Sequence, residues 1–144
     1  MSFYLGKHSL ENLRGVHPDL VKVVKRAIEL TKVDFKVIEG KCTEARQRQL
    51  VVNGKSNTMN SRHLTGHAVD CAPLVAGGWW LVAGVIPWND RKAFASVSKA
   101  MFAAANELGI PLRWGGDWNQ NGRSDDERFY DGPHFELPRQ KYPA

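Results

Sequence analysis

Leu20, Val21, Val24, Ala27 and Ile28 recur at helical spacing, with Lys22, Lys25, Arg26 and Glu29 on the opposite side. This stripe predicts an amphipathic helix with one face in a core. Pro18 marks its start, since proline suits a first turn that needs no backbone N–H, and His17 stands where it can cap. A shorter helical signal covers 9–14, with Ser9 as its N-cap. From Asp34 to Glu39 the period falls to two: Phe35 and Val37 flank Lys36, Gly40 closes the run, and a strand is predicted.

Beyond Gly40-Lys41-Cys42-Thr43 a helix is predicted from Glu44 to Val52. Ala68 to Ala72 reads as a strand after the bend at Gly66, and it turns Cys71 away from the face that carries Asp70. Pro73 to Trp88 is the least polar part of the chain, and Gly77-Gly78 predicts a hairpin-like excursion. Trp79 and Trp80 there either form the lip of a cleft or cap the core. A long helix follows from Asn89 or Asp90 to Leu108, with Phe94, Val97, Ala100, Met101, Ala104 and Leu108 on one face and Gly109 as terminator. Leu112-Arg113-Trp114 is a further strand. The elements together predict an α+β fold, with helices packed on a mostly antiparallel sheet.

At 144 residues the chain suits one domain (1–144) and is too short for two comfortable ones. The net charge of +5 comes from basic residues scattered among acidic ones, a diffuse field that favours an anionic polymer without the aromatic and basic signature of a nucleic-acid module. The longest uncharged apolar stretch, Ala72 to Pro87, is shorter than the roughly 20 residues of a membrane span. The first residues, Met1 to Lys7, do not read as a signal peptide, so a cytoplasmic location is expected, and the chain is expected to be a monomer without stable membrane insertion.

The candidate chemistry lies in two separated stretches. Ser61-Arg62-His63-Leu64-Thr65-Gly66-His67-Ala68-Val69-Asp70 places a histidine and a carboxylate around a bend, and Asp131-Gly132-Pro133-His134 repeats the pairing near the other end. A catalytic zinc takes three protein ligands, imidazole or carboxylate, and keeps a position open for water. His63, Asp70 and His134 would supply that set, and Asp131 is the natural base for the water proton. His67 is expected at the substrate edge or in solvent, because Gly66 breaks the helical spacing that would pair it with His63.

Ser61, His63, Gly66, Ala68 and Asp70, with Asp131 and His134, resemble the signature of zinc peptidases that cut D-alanyl-D-alanine or L-alanyl-D-glutamate bonds in bacterial cell walls. The resemblance implies the zinc D-Ala-D-Ala peptidase (hedgehog-like) fold, with Ser61 one contact removed from the metal. An aspartate at the base position is similar to the phage-endolysin branch. That branch implies an L-alanyl-D-glutamate endopeptidase acting on peptidoglycan stem peptides, held in the host cytoplasm until another factor releases it to lyse the cell.

The chain departs from the family at Cys42, where relatives carry an arginine thought to stabilise the oxyanion. Losing such a donor costs about 10²–10³ in rate; either Lys41 or Arg46 substitutes, or activity is reduced. Cys42 also admits a cysteine-peptidase reading with His63, His67 or His134 as base, although that leaves Asp70 and Asp131 without roles. A Cys42–Cys71 disulfide is disfavoured in cytoplasm. Asp117, Asn119, Asn121 and Glu127 resemble part of a calcium loop, read beside a plain solvated loop. Two further functions stay open: a D-alanyl-D-alanine carboxypeptidase or dipeptidase, and a wall-binding protein with a non-catalytic zinc.

Overall fold

Helix α1 (Lys7–Asn12) starts earlier than its sequence signal, and Ser9 is not its cap. In the computed structural model, which describes residues 3–41, 52, 62–76, 84–87, 90–116 and 131–143, Gly6 holds the cap position. Ser9 is buried within the helix, and its hydroxyl accepts the Val37 N–H at 3.0 Å. That placement wins because an unpaired buried N–H costs about 1–3 kcal/mol. Helix α2 (Pro18–Leu30) starts at its proline, with His17 Nδ1 accepting the Asp19 N–H at 3.1 Å. Its buried face is Leu20, Val23, Val24, Ala27 and Ile28. Val23 takes the place expected of Val21, which sits at the edge of the stripe and is half-buried.

Strand β1 (Phe35–Glu39) buries Phe35 and Val37 as its alternation requires. A 3₁₀ turn (Arg62–Thr65) leads through Gly66 into β2 (Ala68–Pro73). Strands β3 (Val75–Ala76) and β4 (Gly84–Val85) pair antiparallel as a small hairpin. Helix α3 (Arg91–Leu108) is capped by Asp90, whose carboxylate accepts the N–H groups of Lys92 and Ala93, and it ends at Gly109 with φ 70°. Leu108 does not join the buried face: it is the last residue of the helix and is 41% exposed. Strands β5 (Arg113–Trp114) and β6 (His134–Glu136) complete the set. Apart from Val52, the helix expected over 44–52 lies outside the described residues, as do Gly77-Gly78, Trp79 and Trp80. No helix among the described residues is long and apolar enough to cross a membrane.

The main sheet runs β1-β2-β6-β5, every pairing antiparallel. One face, with Phe35, Val37, Val69, Cys71, Trp114 and Phe135, meets α2 and α3 through residues such as Leu20, Val24, Val97 and Met101. Cys71 is a free thiol in this core, and burial pushes its pKa up, which keeps it in the unreactive form. The period of two sends Asp70, His134 and Glu136 to the other face. At the end of β1 the register slips, with Val37 opposite Cys71 and Glu39 opposite Asp70, so Ile38 is the extra residue of a bulge. Helix α1 secures this bulge from both sides: Ser9 takes the Val37 N–H, and Asn12 Nδ2 donates to the Val37 carbonyl at 2.8 Å.

Gly66 and Gly109 both adopt positive φ, yet they answer to different constraints. A Cβ on Gly66 would stand 2.4 Å from the Gly15 carbonyl oxygen, whereas one on Gly109 would meet nothing within 4 Å. Gly109→Ala is expected to lower stability by about 1 kcal/mol, the left-handed penalty alone, and Gly66→Ala by about 2–4 kcal/mol. Denaturant unfolding of the two variants checks the difference. Equal losses would mean that the turn at Gly15 yields without cost.

Candidate metal centre

Antiparallel register brings the two halves of the site together. Asp70 in β2 lies directly opposite His134 in β6, a pairing that puts both side chains on one face about 5 Å apart at Cβ. His63 arrives from the 3₁₀ turn, which Arg62 anchors by donating from Nη2 to the carbonyls of Leu137 at 2.9 Å and Tyr142 at 2.5 Å. The three residues predicted from sequence as ligands therefore meet, with their donor atoms all within 4.8 Å of one another.

The hydrogen bonds behind the rings decide which nitrogen faces inward. His63 Nδ1 lies 2.8 Å from the Gly40 carbonyl, which can only accept, so Nδ1 carries a proton and Nε2 is turned to Asp70 Oδ1 at 3.2 Å. His134 Nε2 lies 2.8 Å from Glu136 Oε1, also an acceptor, which leaves Nδ1 facing Asp70 Oδ1 at 3.4 Å. The rings stand edge to face with centroids 5.1 Å apart. Two ring lone pairs and a carboxylate oxygen converge, an arrangement that only a cation between them makes favourable, whether protons or one metal ion. The donor set fits a metal: two imidazoles and a carboxylate, each imidazole with its far N–H already engaged.

Electrostatics agree with that geometry. Burial opposes charge on His63 and His134, yet Asp70 outweighs it: His63 is raised, and His134, which also bonds Glu136, is pushed up to about 10. Burial likewise works to raise the Asp70 carboxyl, but the two imidazoles hold it well below the usual carboxylate range. Asp131 goes the other way. Burial, then the negative charge of Asp70, pushes its carboxyl up to about 6, and the two histidines only partly offset this.

Asp131 is presented to the site by a backbone clamp. Its N–H donates to the Gly115 carbonyl at 2.9 Å, its carbonyl accepts the His134 N–H at 3.1 Å, and the Gly115 N–H donates to the His134 carbonyl at 2.8 Å. Gly115 has to be glycine, since a Cβ there would stand 2.3 Å from the Asp131 carbonyl oxygen. Trp114 Nε1 adds a bond to the Gly132 carbonyl at 2.6 Å. The turn 131–133 is thereby fixed to β5 on one side and β6 on the other.

His67 stays outside the donor group. The Thr65 hydroxyl spends its proton on the Arg62 carbonyl, so it accepts from His67 Nδ1 at 2.7 Å, and the ring packs 5.4 Å from that of His17. Sequence reasoning missed Glu136 and the Gly40 carbonyl. Glu136 had a signal, since a strand through 134–136 puts it on the same face as His134. The Gly40 carbonyl had none. Ser61, Cys42 and the calcium candidates Asp117, Asn119, Asn121 and Glu127 lie outside the described residues.

Residues 1–138 match the family described as phage L-alanyl-D-glutamate peptidase. The L-alanyl-D-glutamate peptidase of Escherichia phage T5 is 44% identical over 143 residues, covering 95% of this chain and 99% of that protein. The peptidase of the same name from Listeria phage A118 is 26% identical over 145 residues, which span 99% of this chain but 45% of the relative. Among solved structures, that of the Serratia marcescens L-Ala D-Glu endopeptidase ChiX is similar with a TM-score of 0.79 and 44% identity, over 96% of this chain and 92% of the other.

Proposed function

This chain belongs to the phage L-alanyl-D-glutamate peptidase family and has its α+β fold, and on that premise we propose that it hydrolyses the L-alanyl-D-glutamate bond of peptidoglycan stem peptides as a zinc enzyme. The observation that carries the reading is the convergence of His63 Nε2, Asp70 Oδ1 and His134 Nδ1, with both far ring nitrogens occupied by acceptors. Bound there, zinc supplies Lewis-acid polarisation of the scissile carbonyl and lowers the pKa of water toward neutrality. Asp131 holds the remaining role. Its carboxylate accepts the proton of the attacking water and returns it to the amine of D-glutamate as the amide bond breaks. Burial, which pushes the carboxyl up, suits both steps, since it makes the carboxylate a better proton acceptor than an exposed one while leaving it ionised at neutral pH.

Mass spectrometry of purified peptidoglycan incubated with the zinc-loaded protein tests the reading. New N-terminal D-glutamate is the expected product. Release of terminal D-alanine instead would move the activity to the carboxypeptidase branch, and intact stem peptides would leave a binding protein.

The acidity of the ligands predicts how zinc binding depends on pH. His134 is pushed up to about 10, so at neutral pH a proton occupies the nitrogen that zinc requires, and His63 is raised in the same direction. Binding displaces such protons, and the apparent affinity is expected to climb by up to about tenfold per pH unit for each proton released, levelling off above about 10. Competition titrations with a chromophoric chelator measure this slope; an affinity flat across the neutral range would take the histidines out of the ligand set.

A further inference from the structure

Glu136 is a buried acid that the reaction itself does not use. It is 6% exposed, and a carboxylate is rarely buried so far unless it is paired. One oxygen, Oε1, accepts the His134 Nε2–H at 2.8 Å. The other, Oε2, lies 3.8 Å from Nη1 of Arg113, which stands directly across from Glu136 in the β5–β6 pairing. On the β2 side the residue opposite is Ala68, whose methyl group offers no competing contact with the carboxylate.

We propose that Glu136 is a positioning residue of the metal centre: it holds the His134 proton on Nε2 so that Nδ1 keeps its lone pair toward the metal, and Arg113 holds the carboxylate in that pose. The proposal rests on His63, Asp70 and His134 being the ligands. A neutral imidazole has one proton for two nitrogens, and the tautomer with the proton on Nδ1 cannot bind a cation from that side. Glu136 removes this choice, and its charge makes Nδ1 a stronger donor. The two histidines are thus supported unequally, His63 by the neutral Gly40 carbonyl and His134 by an anion.

The test compares zinc affinity by chelator competition in the full chain, its Glu136→Gln and Glu136→Ala variants, and Gly109→Ala as a destabilised control remote from the site. Glu136→Ala is expected to bind zinc about 10–100-fold more weakly. Glu136→Gln keeps an acceptor of the same reach without the charge and should fall between that variant and the wild type. Gly109→Ala should lose stability with no change in affinity. In the zinc-loaded wild type, ¹⁵N NMR of the His134 ring should show a protonated Nε2 and a metal-bound Nδ1.

The reverse ring pattern overturns the proposal, and so do Glu136 variants that bind zinc as tightly as the wild type. A wild type that binds no zinc overturns the ligand assignment, and this inference with it. Should Glu136→Ala fail to fold, Glu136→Gln and the ring spectrum decide the matter.

Discussion

Asp70→Ala is expected to abolish both zinc binding and turnover, and a strong chelator should do the same reversibly to the unaltered protein. Asp70 is the carboxylate that both imidazoles face, at 3.2 and 3.4 Å, so its removal leaves two nitrogens with nothing to complete the proposed set. Two protein donors do not make a catalytic zinc site, which takes three. The loss should be large because carbonyl polarisation and water activation disappear together. Several kcal/mol of barrier at about 1.4 kcal/mol per decade puts it beyond roughly 10³-fold. Metal content by mass spectrometry, alongside product release from peptidoglycan, measures both effects. Full turnover in protein stripped of zinc would end the metallopeptidase reading.

Asp131→Asn should separate binding from chemistry: zinc stays, and turnover falls by about 10²–10⁴-fold, the usual worth of a general base. The amide preserves size, and the clamp that presents residue 131 is made by backbone groups of Gly115 and His134, so the substitution leaves it intact. The pH profile carries the sign. A base works when deprotonated, so activity should fall with falling pH as Asp131 takes up a proton. Its carboxyl sits at about 6 without a metal, and a dication beside it would hold it lower, placing the acid limb below about 6. That limb should vanish in Asp131→Asn. Near-normal turnover in the variant would remove Asp131 from the role.

Local chemistry explains what was legible in the sequence. Asp90 and Gly109 bound α3 because a carboxylate cap and a left-handed stop are decided within a few residues, and the alternation of Phe35 and Val37 decides β1 in the same way. Ser9 was misread for the opposite reason. A serine ahead of an apolar run looks like a cap, and only the docking of α1 onto β1 supplies the Val37 N–H that claims its hydroxyl. Spacing and family likeness single out His63, Asp70 and His134, the three residues whose donor atoms converge. Their meeting depends on a β2–β6 register between residues more than sixty positions apart, which no local pattern encodes. The separate β5–β6 register makes Glu136 a neighbour of Arg113, so the pairing of that carboxylate became visible only with the strands in place.

That long-range pairing has a bearing on when the protein can act. His63 and Asp70 are made early, whereas His134 and Asp131 come from the last part of these 144 residues. Closing so long a loop is among the slower events of folding, since its entropy is lost before the contacts compensate. On the proposed assignment, a chain still emerging from the ribosome, or one clipped before β6, would hold two of the three ligands and no base. Such a chain would be inert toward peptide bonds, and hydrolysis would begin only once synthesis had passed the final strand.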